Sequence, residues 1–222
     1  MKSTKTLYFG VLLVSVAFWA ITDTLFIDNF SYFNLRAPMV QLSGIIAMVS
    51  MTVSMVLIAR FRFINNFLPL KTGYQLHQWL GITALLSALF HWYWAQGSKW
   101  LVDLGILQKP ERVRHAIDSN TLEGLFLSVR EFAEHIGEWA FYVTAVLLII
   151  TLVKRIPRNI FKQTHKWLAA LYLIFVFHSI ILLKFSYWLE PMGLLMMCIL
   201  ILGTLSALRV MRENIKGALN KN

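Results

Sequence analysis

The feature that most constrains this chain is its alternation of long, nearly uncharged apolar stretches with more polar, largely cationic connections. Six stretches stand out, at roughly 6–26, 38–59, 75–95, 137–153, 163–183 and 191–208. Each approaches or exceeds the ~20 residues that carry a helix across a ~30 Å hydrocarbon core. In lipid a chain must satisfy its own backbone hydrogen bonds, so runs of this length specify helices. Composition agrees: 14% of residues are charged and 58% hydrophobic, with a mean hydropathy of +0.62, where a soluble domain carries about 25% charged residues. The fold class read from this is all-α: a polytopic membrane protein, a six-transmembrane-helix bundle, with residues 1–222 forming a single transmembrane domain. Aromatics mark the span ends, as in WYW at 92–94 and YW at 187–188, where amphipathic rings favour the interface.

Charge sets the topology. Lys2, Lys5, Arg60, Arg62, Lys71, Lys154, Arg155, Arg158, Lys162, Lys166, Arg209, Arg212, Lys216 and Lys221 fall on one side. Arg36, Lys99, Lys109, Arg112, Arg114, Arg130 and Lys184 fall on the other, five of them in one long loop. The positive-inside rule puts both termini in the cytoplasm, and in a bacterium this means the inner (plasma) membrane. The formal net charge of +10 is thus read as topology, with no nucleic acid as partner and membrane lipid as surroundings. The N-terminal stretch lacks a small-x-small cleavage site and reads as a retained first span. Asp23 closes it as a carboxylate at headgroup level. The single cysteine, Cys198, excludes an internal disulfide and a cysteine-ligated iron–sulfur cluster within the chain.

The outer loop, 96–136, is the only sizeable extramembrane segment. Its second half has apolar residues at helical spacing, from Leu122 to Ile136. This predicts an amphipathic helix over about 121–136, opened by a capping box of Asn120 and Glu123 and running on into the fourth span.

Four of the six histidines lie in spans. The third span reads HQWLGITALLSALFH from His77 to His91, and the fifth reads HKWLAALYLIFVFH from His165 to His178. Both spans start in the cytoplasm, so they run parallel. His77 and His165 share an inner depth, and His91 and His178 an outer one. At 1.5 Å per residue the two levels are roughly 20 Å apart. Two facing imidazoles at each of two depths suit two stacked haems, whose irons take axial ligands from opposite sides. Zinc sites usually cluster their ligands at i,i+3 or i,i+4, and these spans do not. At ~100° per residue, a spacing of thirteen leaves His165 and His178 about 140° apart around their helix. Either the fifth helix leans between the haems or its winding is irregular. Gly81, one turn after His77, would let a porphyrin approach. Arg62, Lys71 and Lys166 on the inside, and Arg130 and Lys184 on the outside, are candidate partners for haem propionates. Tyr172 and Phe175 lie between the levels and read as core packing. His115 and His135 read as exposed loop residues.

The two histidine segments together resemble the ferric reductase-like transmembrane domain, the family of NADPH oxidases, ferric reductases and bacterial haem subunits of periplasmic methionine sulfoxide reductase systems. The resemblance runs from about 6 to 208. It implies two haem b groups, with His77/His165 as axial ligands of the inner iron and His91/His178 of the outer. It implies an oxidoreductase passing electrons from a flavin-containing donor protein or domain (FAD or FMN) on the cytoplasmic side to an outer acceptor, oxygen or ferric iron. Fourteen residues follow Leu208 and no GxGxxG loop occurs, so the chain is expected to lack its own NAD(P)H site. The basic tail and the 154–166 loop form a plausible docking face for the donor. Two other readings stand beside this one. One is a haem subunit passing electrons from flavin or quinol to a periplasmic reductase partner. The other is a quinone-linked respiratory cytochrome b.

Overall fold

A computed structural model describes residues 2–23, 31–108, 120–152 and 157–219. Lys109, Arg112, Arg114, His115, Lys154, Arg155 and Lys221 lie outside the described residues. Among those described there is no strand. The helices are α1 (Lys2–Thr22), α2 (Tyr32–Ala59), α3 (Arg62–Phe67), α4 (Leu70–Asp103), α5 (Leu122–Leu152), α6 (Arg158–Lys166), α7 (Leu168–Leu182) and α8 (Pro191–Leu219), with a 3-10 helix, Phe185–Leu189, before α8.

Among the described residues, five segments are long and apolar enough to cross a membrane: Thr4–Thr22, Tyr32–Ala59, Leu122–Thr151, Gln163–Leu182 and Pro191–Gly217. The chain is an integral membrane protein. The third expected span differs in character from these five. It is carried by α4, whose 34 residues exceed the length needed, but its two histidines, three glutamines and WYW run lower its apolarity below that of the others.

The helices outrun the apolar stretches at several ends. α2 begins at Tyr32 because Ser31 caps it, its side chain accepting from the Asn34 amide at 3.2 Å. The first residues of the expected outer loop belong to α4, which continues to Asp103. The amphipathic segment and the fourth span form one unbroken helix, α5, as the reading anticipated. Its cap is displaced from the one expected. Thr121 immediately precedes the helix, and its hydroxyl accepts from Gly124 N at 3.1 Å. The Asn120–Glu123 capping box is therefore replaced by a cap one residue later. The tail expected after Leu208 is helical through Leu219.

α2 is the central element, packing along α4 on one side and α8 on another, while α5 packs along α7 and α1 lies against α2, α4 and α8. The buried cluster joins Trp19 of α1, Ile45 and Met48 of α2, Tyr172 of α7, Tyr187 of the 3-10 helix, and Met192 and Met196 of α8. At one end of the bundle Tyr187 donates to Asp23, and Lys184 Nζ stands 3.7 Å from the same carboxylate. Gln41 of α2 donates to Leu182 O at 3.1 Å, tying α2 to the end of α7. At the opposite end Arg60 caps α2 in the left-handed region (φ 49°), and the Arg209 guanidinium lies over the Phe61 ring at 4.9 Å.

Candidate functional site

α2 and α4 run antiparallel and in register. The carbonyls of Val40 and Ser54, fourteen residues apart on α2, accept from Nδ1 of His91 (2.9 Å) and His77 (3.2 Å), fourteen apart on α4. α5 holds α7 in the same manner, with Ala133 O accepting from His178 Nδ1 at 2.8 Å. A carbonyl oxygen can only accept, so Nδ1 carries the proton in these three neutral rings and Nε2 keeps its lone pair. His165 is held differently. Its Nδ1 is buried without a hydrogen-bond partner, and its ring stacks on Phe161 with centroids 5.1 Å apart and planes at 17°.

The rings meet in the pairs expected from depth. His77 faces His165 with centroids 6.0 Å apart and planes at 75°, and His91 faces His178 at 6.2 Å and 74°. Two imidazoles on opposite sides of one metal, at metal–nitrogen distances of about 2.0–2.1 Å, have centroids about 6 Å apart. Both pairs stand at that separation. The donor sets are also of the right kind, with two imidazoles per site. Among the described residues no three His, Cys, Asp or Glu side chains converge, so the set suits a metal whose other ligands come from a macrocycle. The residues present fit an iron porphyrin at each level.

The fifth expected span resolves the winding question. It breaks at Trp167 into α6 and α7. Thr164 Oγ1 bonds back to Ile160 O (3.0 Å) and Phe161 O (3.1 Å), and the Trp167 amide bonds to Thr164 O at 3.1 Å, a three-residue closure. A hydroxyl competing for helix carbonyls bends a helix. A turn wound at three residues adds about 20° per residue over an α-turn, and the two of its steps that fall between the histidines cut the ~140° offset to roughly 100°. The remainder leaves the rings on different flanks, His165 beside Phe161 and His178 toward α5.

Two glycines that the sequence reading missed back the outer pair. A Cβ on Gly137 would stand 2.0 Å from His178 Nδ1, and one on Gly44 would stand 3.1 Å from His91 Nδ1. Gly81, singled out instead, would meet nothing within 4 Å. Arg36 was likewise not singled out. It sits on α2 one turn outward of Val40 and donates to Ala95 O at 2.9 Å. The outer propionate candidates are engaged with carboxylates: Arg130 bonds Glu134 at 2.9 Å, and Lys184 lies near Asp23. Of the inner candidates, Arg62, Lys71 and Lys166 are exposed. Tyr172 is buried in the core, its hydroxyl 2.7 Å from Thr52 Oγ1, and Phe175 packs against the same cluster. His135 is exposed and lies 3.9 Å from Glu131.

The chain is thus a membrane protein whose helices bring four imidazoles face to face in two pairs. A family model described as the ferric reductase like transmembrane component matches residues 43–176. The chain belongs to that family, whose members are oxidoreductase-type electron-transfer proteins of the membrane. The match takes in His77, His91 and His165 and ends two residues before His178. No curated protein and no solved structure matches the chain.

Proposed function

We propose that this chain moves electrons across the membrane through two b-type haems, the inner held by His77 and His165 and the outer by His91 and His178. The observation that supports this is the pair of facing imidazoles at 6.0 and 6.2 Å on two levels. When bound, haems held by these residues would supply reversible one-electron storage at the two histidine levels. The chain's own residues set the conditions for it. The backbone carbonyls of Ser54, Val40 and Ala133 fix the tautomer of three ligands, aim their Nε2 atoms inward, and raise their basicity. α4 is the sixth span, polar for a membrane helix because it carries two of the ligands.

On this reading the termini are cytoplasmic and the membrane is a bacterial inner membrane. Electrons enter at the His77/His165 level from a flavin-containing donor, FAD or FMN, borne by a separate protein or domain. They leave at the His91/His178 level to oxygen or ferric iron outside. Arg60, Arg62, Lys71, Lys166 and Arg209 give the inner face the positive charge that steers an acidic donor surface.

The test is spectroscopic. Protein purified in detergent, expressed with adequate haem supply, should show two low-spin b-type haems per chain in the dithionite-reduced minus oxidised spectrum. His91→Leu or His178→Leu should each leave one haem, as should His77→Leu. A wild-type chain without haem would overturn the proposal.

A further inference from the structure

Gly137 lies in the interior of α5, where helix propensity alone favours alanine over glycine. Something in the fold must therefore reward the absence of a side chain there. The neighbour is His178: a Cβ on Gly137 would come within 2.0 Å of Nδ1, 2.6 Å of Cε1 and 2.7 Å of Cγ. The Nδ1 edge of the ring thus lies against the α5 backbone where Gly137 leaves that backbone bare. From there Nδ1 reaches the carbonyl of Ala133, one turn earlier on the same helix, at 2.8 Å. With Nδ1 so held, the ring stands 6.2 Å from His91. Gly44 does the same for His91 across the site, less tightly, at 3.1 Å from Nδ1. Neither glycine one turn from His77 on α4 backs a histidine in this way: a Cβ on Gly73 would meet Leu68 at 3.6 Å, and one on Gly81 no protein atom within 4 Å.

We infer that Gly137 is the positioning residue of the outer site: its missing side chain seats the His178 ring on α5 and thereby aims Nε2 at the outer metal position. The inference rests on the haem reading above and adds to it which residue decides the geometry of one site and not the other. A methyl group at position 137 leaves His178 two choices. It can swing off Ala133 O and lose its aim, or push α5 away from α7. Either changes the outer site while His77 and His165, held from α2 and α6, keep theirs.

The glycines form a graded series for the experiment. Gly137→Ala and Gly44→Ala are each purified with bound haem, and haem per chain and low-spin electron paramagnetic resonance spectra are recorded. Gly217→Ala is the control for a helical glycine away from the histidines, since its Cβ would meet nothing within 4 Å. The expected result is that Gly137→Ala loses the outer haem or shifts its g values, that Gly44→Ala shifts them without loss, and that Gly217→Ala leaves both haem signals unchanged. Two unchanged haem signals in Gly137→Ala would overturn the inference while leaving the haem reading intact. A haem-free wild type would overturn that reading itself. Should Gly137→Ala fail to fold, the pair His178→Gly and His178→Gly/Gly137→Ala decides. With the ring removed, alanine at 137 should cost nothing in melting temperature or inner-haem content, and a further loss there would assign Gly137 to general helix packing.

Discussion

The contact between Tyr172 and Thr52 offers a quantitative test of how the bundle holds its ligands. Tyr172 lies on α7 seven residues after His165 and six before His178, so whatever fixes it fixes the register of the helix carrying the outer ligand. It is 2% exposed and Thr52 is 1% exposed, with their oxygens 2.7 Å apart. α8 closes over the bond, since a Cβ on Gly203 would stand 1.7 Å from the Tyr172 hydroxyl. Hydrogen bonds between membrane helices average about 0.6 kcal/mol and reach about 1.7. Full burial of both partners places this one in the upper part of that range, at roughly 1–1.7 kcal/mol. Single substitutions misreport it. In Tyr172→Phe the Thr52 hydroxyl can turn back to a carbonyl of its own helix, and in Thr52→Val the tyrosine is left with a buried, unpaired hydroxyl. The pairwise value comes from the cycle of Tyr172→Phe, Thr52→Val and the double variant, measured by equilibrium unfolding in mixed detergent micelles with helicity as the signal. A coupling of about 1 kcal/mol or more is expected. A coupling below ~0.3 kcal/mol, the scatter of independent sites, would refute the claim that this bond ties α7 to α2.

Two further outcomes follow from local geometry. Burial, and the Asp23 carboxylate that accepts from its hydroxyl, push Tyr187 above the ordinary 10.0. The folded state therefore holds this proton more firmly than the unfolded state, so the contribution is complete below about pH 10 and is lost as pH rises toward the folded value. Thermal unfolding of the wild type should fall more steeply above about pH 10 than that of Tyr187→Phe, and parallel profiles would remove Tyr187 as the cause. Thr164→Val removes the two back-bonds that tighten the turn before Trp167. It should shift the low-spin signal of the inner haem and leave the outer one in place, and unchanged spectra would show that the hydroxyl does not set the His165 orientation.

Which parts of this were legible in the sequence depends on the range of the physics involved. Span positions, the pairing of His77 with His165 and of His91 with His178, and the continuity of the amphipathic segment with the fourth span all follow from counting along one helix. Periodicity and rise per residue are local properties, and they survive packing. The partners behind the rings were not legible in this way. That Val40 and Ser54 offer carbonyls to His91 and His77 depends on α2 lying antiparallel to α4 in one register, which no pattern within either helix announces. Gly44 and Gly137 were visible as glycines inside apolar spans, a signal that a backbone is closely approached there. Gly81, near His77 in sequence, opens onto space free of protein atoms, whereas the glycines that back the rings, Gly44 and Gly137, lie on the facing helices.

The break in the fifth span shows how a mismatch in counting can itself be informative. A spacing of thirteen does not return an α-helix to the same face, yet both histidines serve pairs on one side of the bundle. An undistorted helix could only have met this by leaning. The chain instead contains Thr164, whose hydroxyl takes two carbonyls from the preceding turn, and the tight closure at Trp167 follows. The third span needs no such device, because a spacing of fourteen returns to within about 40° of the same face, and α4 runs unbroken from Leu70 to Asp103. The two ligand helices thus solve one geometric problem in two ways, by residue count in α4 and by local rewinding between α6 and α7. The rewound side carries the ligand without a carbonyl partner, His165. Its ring is oriented by stacking on Phe161 and by the turn itself, so substitutions at Thr164 should act on the inner site, whereas those at Gly137 should act on the outer.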